Sequence, residues 1–349
     1  PRHGPALVSR WTRLGLWSGR RRIDDFPVKA EPPAVPMNPR SFTLLLAVVS
    51  FLLTGHATAR EKTGPKLKVM TSFLPMQAHA VAITGDDAQV EPLFPRDVSP
   101  HDYQLTPAIV ARLARADVLV INGAGMEGWL QELVRNVGSP TLVVIDCSAG
   151  IETTEGPACL HHGSTGPSVQ HRHPPGGRNP HIWLDPVIAR KQVAIILAAL
   201  QKADPDRRAA YADRAAKYDA QIRLLHLEYV AVLSALPNKN LVTFHDAFPY
   251  LASRYGLNYI GYVSEFPEKD PKPQQLADLV DKIRAHKIGV IFAEKGYETR
   301  LLQEIGRQTS SRVASLDTLE IGTGEADSYL VRMRANLRSL EEAFRASPR

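Results

Sequence analysis

Several features that would settle a protein's class at once are missing or scarce in this chain. There is no GxSxG nucleophile elbow and no HExxH helix, so the common signatures of the α/β-hydrolases and the zinc proteases are absent. Apolar runs are short. The longest, from Phe42 to Leu53, falls well below the roughly 20 residues that a membrane span needs. Excess charge of one sign is also missing once the ends are separated. Residues 1–59 hold 8 of the 42 Lys+Arg and 3 of the 36 Asp+Glu, leaving 34 and 33 for residues 60–349. That balance of about +1 gives no basic face for a nucleic-acid partner. Cysteine occurs twice, at Cys147 and Cys159. The pair brackets a short loop, so it reads either as one disulfide in an oxidising compartment or as a free thiol and a soft metal ligand at Cys159, beside His161 and His162.

What is present begins with a leader. MNPRSFTLLLAVVSFLLTGHATA, residues 37–59, has Arg40 in a short basic region, an apolar run, and the small residues Ala57-Thr58-Ala59. This is the pattern of a secretory signal peptide cleaved after Ala59. Residues 1–36, rich in Arg and Pro and without an initiating Met, read as a segment upstream of a wrongly assigned start. No cysteine follows the apolar run at the cleavage point, so no lipid anchor is expected there, and the mature protein is expected to be exported to the periplasm.

Buried strand patterns at 66–73, 117–121 and 141–146 alternate with helical patterns at 75–84, 106–115 and 127–136, which is βαβ alternation. Two amphipathic helical stretches follow, from Pro186 to about Ala203 and from Asp206 to Leu236, the second long enough to brace two lobes. A second alternation has strands at 240–244, 259–263, 289–293 and 313–316, with helices between them and a closing helix from Asp327 to about Phe344. The expected architecture is α/β: two lobes with mostly parallel sheets joined by a long rigid interlobe helix, with a site in the cleft. Residues 60–185 form the N-terminal lobe, 186–236 the helical connection and 237–349 the C-terminal lobe.

Candidate ligands sit where such folds bind, at the carboxyl ends of strands. His101 follows VEPLF, His245 ends NLVTF, and Asp317 follows VASL. His181 is framed by the turn formers Asn179 and Pro180 in NPHIWLDP, which fixes its direction. Three imidazoles and one carboxylate suit tetrahedral Zn2+. Glu294, just past IGVIFA, competes with Asp317 for the fourth place. A rival pattern is Gly123, Gly125 and Gly128, a GxGxxG after a strand with Asp146 ending the next strand, which would make a dinucleotide-dependent oxidoreductase. Against it, Glu127 would put negative charge where a pyrophosphate docks, and Trp129 crowds the turn. Four protein ligands leave no open metal position, which argues for binding over turnover and against an enzyme.

As a set, LFPRDVSPHDYQLTP (93–107), ADVLVINGAGMEGWLQEL (116–133), NPHIWLDP (179–186) and TFHDAFPYL (243–251) resemble the metal-specific solute-binding proteins of bacterial ABC transporters, of the zinc and manganese cluster. The resemblance covers nearly all of residues 66–345. It implies two lobes on one rigid helix, capture of a divalent metal between them, and delivery to an ABC permease and its ATPase by a monomer. His101, His181 and His245 fall on the family's ligand positions, and Asp317 falls where many members carry an aspartate. His at the third position and a His-rich loop, 155–178 with His161, His162, His171 and His173, resemble the zinc-type members. Manganese or iron is the alternative cargo, and a metal-dependent adhesin the alternative role.

Overall fold

The computed structural model describes residues 65–101, 106–127, 130, 141–153, 178–264, 271–297 and 300–346. The signal peptide, the segment before it, nearly all of the His-rich loop and most of the helix expected at 127–136 lie outside the described residues.

Strands β1 (Leu67–Thr71), β2 (Ala88–Pro92), β3 (Val118–Ile121) and β4 (Val143–Asp146) form one sheet in the order β2-β1-β3-β4. The second sheet repeats that order with β5 (Asn240–His245), β6 (Asn258–Ser264), β7 (Val290–Glu294) and β8 (Arg312–Leu316), as β6-β5-β7-β8. All pairings are parallel. Parallel strands are covered on both faces, so they are written as continuous apolar runs. β7, VIFAE, is buried at every residue. The strand expected near VEPLF is displaced by two residues, to Ala88–Pro92. In each sheet the strand order reverses beside the first strand, between β1 and β3 and between β5 and β7. Ligands bind at the carboxyl ends of strands flanking such a reversal. His245 and Glu294 are the last residues of β5 and β7.

The helices are α1 (Leu74–Thr84), α2 (Pro107–Leu113), α3 (Pro186–Ala203), α4 (Arg208–Ser234), α5 (Pro249–Tyr255), α6 (Pro273–Ala285), α7 (Arg300–Thr309) and α8 (Ser328–Arg345). Four of them, α2, α3, α5 and α6, open on proline, which lacks the N–H that a first turn leaves unused and is already set at a helical φ. The longest, α4, has 27 residues and a length of about 40 Å at 1.5 Å per residue. Its buried stripe, Tyr211, Ala215, Tyr218, Ile222, Leu225, Tyr229 and Leu233, follows the three-and-four spacing of one helix face.

Helix α4 is bonded to both halves of the fold. Near its start the Arg214 guanidinium donates to the Ile83 carbonyl at 2.8 Å and pairs with Asp87, and Tyr218 meets His79 Nδ1 of α1 at 3.0 Å. Further along, the Tyr229 hydroxyl donates to the Met333 carbonyl of α8 at 2.7 Å, and Glu228 pairs with Arg334. One apolar core runs from Val69 and Met70 under the first sheet, along α4, to Leu340 and Phe344 of α8. Contacts therefore gather Gly64–Arg349 into one compact unit holding both sheets. Among the described residues no helix is long and apolar enough to cross a membrane.

Candidate metal centre

His181 is placed by its own turn. Asn179 Oδ1 accepts from the His181 backbone N–H at 3.0 Å and from the ring Nδ1–H at 2.9 Å. Asn179 is fixed in turn, since its Nδ2 donates to the Asp246 carbonyl at 2.8 Å and its own carbonyl accepts from the Tyr250 hydroxyl at 2.7 Å. With the proton on Nδ1, the His181 Nε2 lone pair is left facing inward. Asp185 then caps α3 by accepting from the Val187 N–H at 2.8 Å.

His245 is held by the same logic with different chemistry. Glu294 Oε1 accepts from the His245 backbone N–H at 2.8 Å, and Glu294 Oε2 takes the ring Nδ1–H. Its Nε2 also points inward, 3.1 Å from His181 Nε2. His101, in the turn after β2, brings its Nε2 to 3.3 Å from His181 Nε2.

The carboxylate that joins them is Glu320. Its Oε1 lies 3.2 Å from His101 Nε2, 3.2 Å from His181 Nε2 and 3.5 Å from His245 Nε2. Its Oε2 accepts from the Tyr297 hydroxyl at 2.9 Å. Five of the six donor separations thus lie between 3.1 and 3.5 Å, and all six are within 4.8 Å. In a tetrahedron the centre-to-corner distance is the edge divided by about 1.6, giving ~2.0 Å, the length of a Zn–N or Zn–O bond. The cluster could hold a metal ion.

Electrostatics favour a cation here. Burial drives His181 down to about 3. Burial also works to lower His245, but Glu294 and Glu320 outweigh it and push this ring up to about 10. Glu320 is held well below the usual carboxylate value: burial would raise it, and the surrounding imidazoles, His101 and His245 foremost, overcome that. Two inward lone pairs about 3 Å apart repel unless a proton or a cation lies between them, and the cluster supplies the negative charge to keep one there.

Asp317 is elsewhere. Both its oxygens pair with the Arg332 guanidinium of α8, at 2.6 and 2.7 Å, and Oδ1 also accepts from the Leu319 N–H at 2.9 Å. Its backbone N–H and carbonyl are both bonded to the Asn336 side chain. Asp317, expected from sequence beside the three imidazoles, does not join them: Arg332 pairs with it, and the carboxylate that meets the rings is Glu320, three residues on. What Asp317 does is shape the turn: Leu319 adopts a left-handed φ of +62°, a strained conformation for a branched residue, and this turn swings Glu320 into the cluster. The loop is tied to the first half of the chain as well. Trp183 Nε1 donates to the Thr318 carbonyl at 2.8 Å, and the Gly322 N–H to the Arg96 carbonyl at 2.7 Å. Glu294, the other carboxylate weighed from sequence, stands behind His245 instead of beside the other donors.

The glycine pattern has its own explanation. Glu127 folds back so that its carboxylate accepts from the Asn122 and Gly123 N–H groups at 2.9 Å each, the kind of donor a pyrophosphate would need. A Cβ at Gly123 would meet Asp146 Oδ1 at 1.9 Å, so glycine serves close packing there. Gly128 and Trp129 lie outside the described residues. Cys147 is a buried free thiol. Cys159 itself is outside the described residues.

Against known proteins, the family described as zinc-uptake complex component A periplasmic matches residues 69–343. The chain is 30% identical over 307 residues to the Bacillus subtilis protein named high-affinity zinc uptake system protein ZnuA, covering 87% of this chain and 94% of that one. It is 29% identical over 313 residues to the zinc-binding lipoprotein AdcA of Streptococcus pneumoniae, covering 87% of this chain but only 61% of that longer protein. The Zn(II)-bound ZnuA-like domain of S. pneumoniae AdcA superposes with a TM-score of 0.66 at 28% identity, covering 80% of this chain and 99% of that domain.

Proposed function

The chain belongs to the zinc-uptake complex component A periplasmic family, and on that premise we propose that it captures Zn2+ between its two lobes and hands it to an ABC-type permease and its ATPase. The ligands are His101, His181, His245 and Glu320. One observation carries this reading: three Nε2 atoms and one carboxylate oxygen from four separate segments converge with separations of a zinc tetrahedron. Nitrogen-rich, four-donor sites favour zinc over manganese, which prefers more oxygen donors. The function is binding and delivery, without a catalytic step. It operates in the periplasm as a monomer, after cleavage of the leader behind Ala59.

Protein beginning at Arg60 is expected to contain one tightly held zinc after purification, measured by elemental analysis and by competition with a chromophoric chelator. Failure to take up zinc more tightly than manganese would reject the reading. A mature N-terminus upstream of Met37, found by sequencing the exported protein, would reject the leader assignment.

A further inference from the structure

Tyr297 touches the cluster without being one of its donors. It closes a turn after β7, Glu294-Lys295-Gly296-Tyr297, in which the Tyr297 N–H donates to the Glu294 carbonyl at 3.2 Å and Gly296 takes a φ of +95° that suits glycine. One end of this turn holds His245 through Glu294. The other holds Glu320, whose Oε2 accepts from the Tyr297 hydroxyl. The ring is kept in place beside Phe244 and His245, with centroids 6.3 Å from each. The two oxygens of Glu320 are thereby divided: Oε1 faces the three imidazoles, and Oε2 faces the phenol.

That division bears on metal choice. A carboxylate that is free to turn can give a metal one oxygen or two. Zinc is satisfied with four donors, whereas manganese takes more, and prefers oxygen. Bringing Oε2 onto a metal here would sacrifice its charge-assisted bond from Tyr297, and the side chain of Glu320 is wholly sealed from water, so no solvent replaces it. Resting on the reading of this cluster as the zinc site, we propose that Tyr297 is a specificity-determining residue, holding Glu320 as a one-oxygen donor and so favouring four-coordinate Zn2+ over Mn2+.

Tyr297→Phe keeps the ring and removes only the hydroxyl. With Co2+ as an optical probe, the wild-type protein gives the intense visible bands of a four-coordinate centre, and Tyr297→Phe gives weaker bands as a second oxygen joins. The preference for Zn2+ over Mn2+, from chelator competition, falls about tenfold or more, the scale of one hydrogen bond to a charged group. Glu320→Gln separates this mechanism from altered packing. A carboxamide has a single oxygen, so adding Tyr297→Phe to Glu320→Gln leaves the preference where Glu320→Gln alone puts it. Wild-type bands and preference in Tyr297→Phe would overturn the proposal, as would an equal shift in the Glu320→Gln background. A wild-type protein that binds neither Zn2+ nor Co2+ tightly would overturn the zinc reading and this proposal with it, whereas tight zinc binding with an unmoved Tyr297→Phe overturns this proposal alone.

Discussion

Replacing each of the two rival carboxylates by alanine separates a ligand from a brace. Glu320→Ala removes the one negative charge in contact with the three imidazoles. At an effective dielectric of about 20, even a unit charge pair some 4 Å apart is worth about 4 kcal/mol, or nearly a thousandfold in Kd, and a dication held by its carboxylate donor is closer and more highly charged. Water entering the freed position returns part of this, so a zinc affinity lower by about 10- to 100-fold is expected. Asp317→Ala acts on stability instead. Arg332 is only 17% exposed, and stripping the partner from a largely buried charge costs about 3 kcal/mol, which for a chain of this size lowers Tm by about 5 °C. Its zinc affinity should fall by a small factor, through loosening of the turn that carries Glu320. Chelator competition and thermal melts on both variants read the two effects separately. Wild-type zinc affinity in Glu320→Ala, with a large loss in Asp317→Ala, would refute the assignment and restore the aspartate.

Zinc binding should release a proton and tighten with pH: His245, raised to about 10, is protonated near neutrality, and zinc must displace that proton from Nε2. Affinity then rises about tenfold per pH unit up to about pH 10, and calorimetric enthalpies that do not depend on the buffer would count against it. Glu294→Ala should weaken zinc about 10- to 100-fold, and Glu294→Gln should also weaken it, because two N–H donors of His245 face two carboxylate oxygens and an amide offers only one. Equal affinity in wild type and Glu294→Gln, by competition, would show that the second oxygen is dispensable. Deleting residues 160–175 should leave the tight site intact, since Asn179 and Tyr250 hold His181, and loss of that site in a calorimetric titration would mean that a ligand lies in the deleted stretch.

The fold was legible because parallel strands buried on both faces must be written as runs such as VIFAE and LVTF, and the helices between them carry their own stops. The imidazoles were legible for a local reason: each sits in a turn or at a strand end whose neighbours fix it, and for His181 the fixing residue, Asn179, is two positions away. The carboxylate that meets them was not. Asp317 follows β8 directly, and what removes it from consideration is Arg332 and Asn336, 15 and 19 residues later on one face of α8. Sequence shows an Arg and an Asn four apart on a helix but not that they face the end of β8. Nor does it show that Leu319 takes a left-handed conformation, the kink that delivers Glu320. The short-range cue was the second acid itself, three residues past the first.

Charge explains why two carboxylates serve this cluster and why only one meets the other donors directly. Three neutral imidazoles carry nothing, Glu320 and Glu294 carry one negative charge each, and Asp317 drops out of the count against Arg332. A dication brings the buried group to neutrality, which is the condition for burying charge without large loss. With two carboxylates in direct contact the donor set would turn oxygen-rich and suit manganese or magnesium. Placing Glu294 behind His245 delivers the second negative charge through a nitrogen ligand: the ring becomes a stronger donor while the coordinating atom remains nitrogen. Charge and donor type are thus set by different residues, and in the proposed zinc site that separation would favour zinc over harder dications.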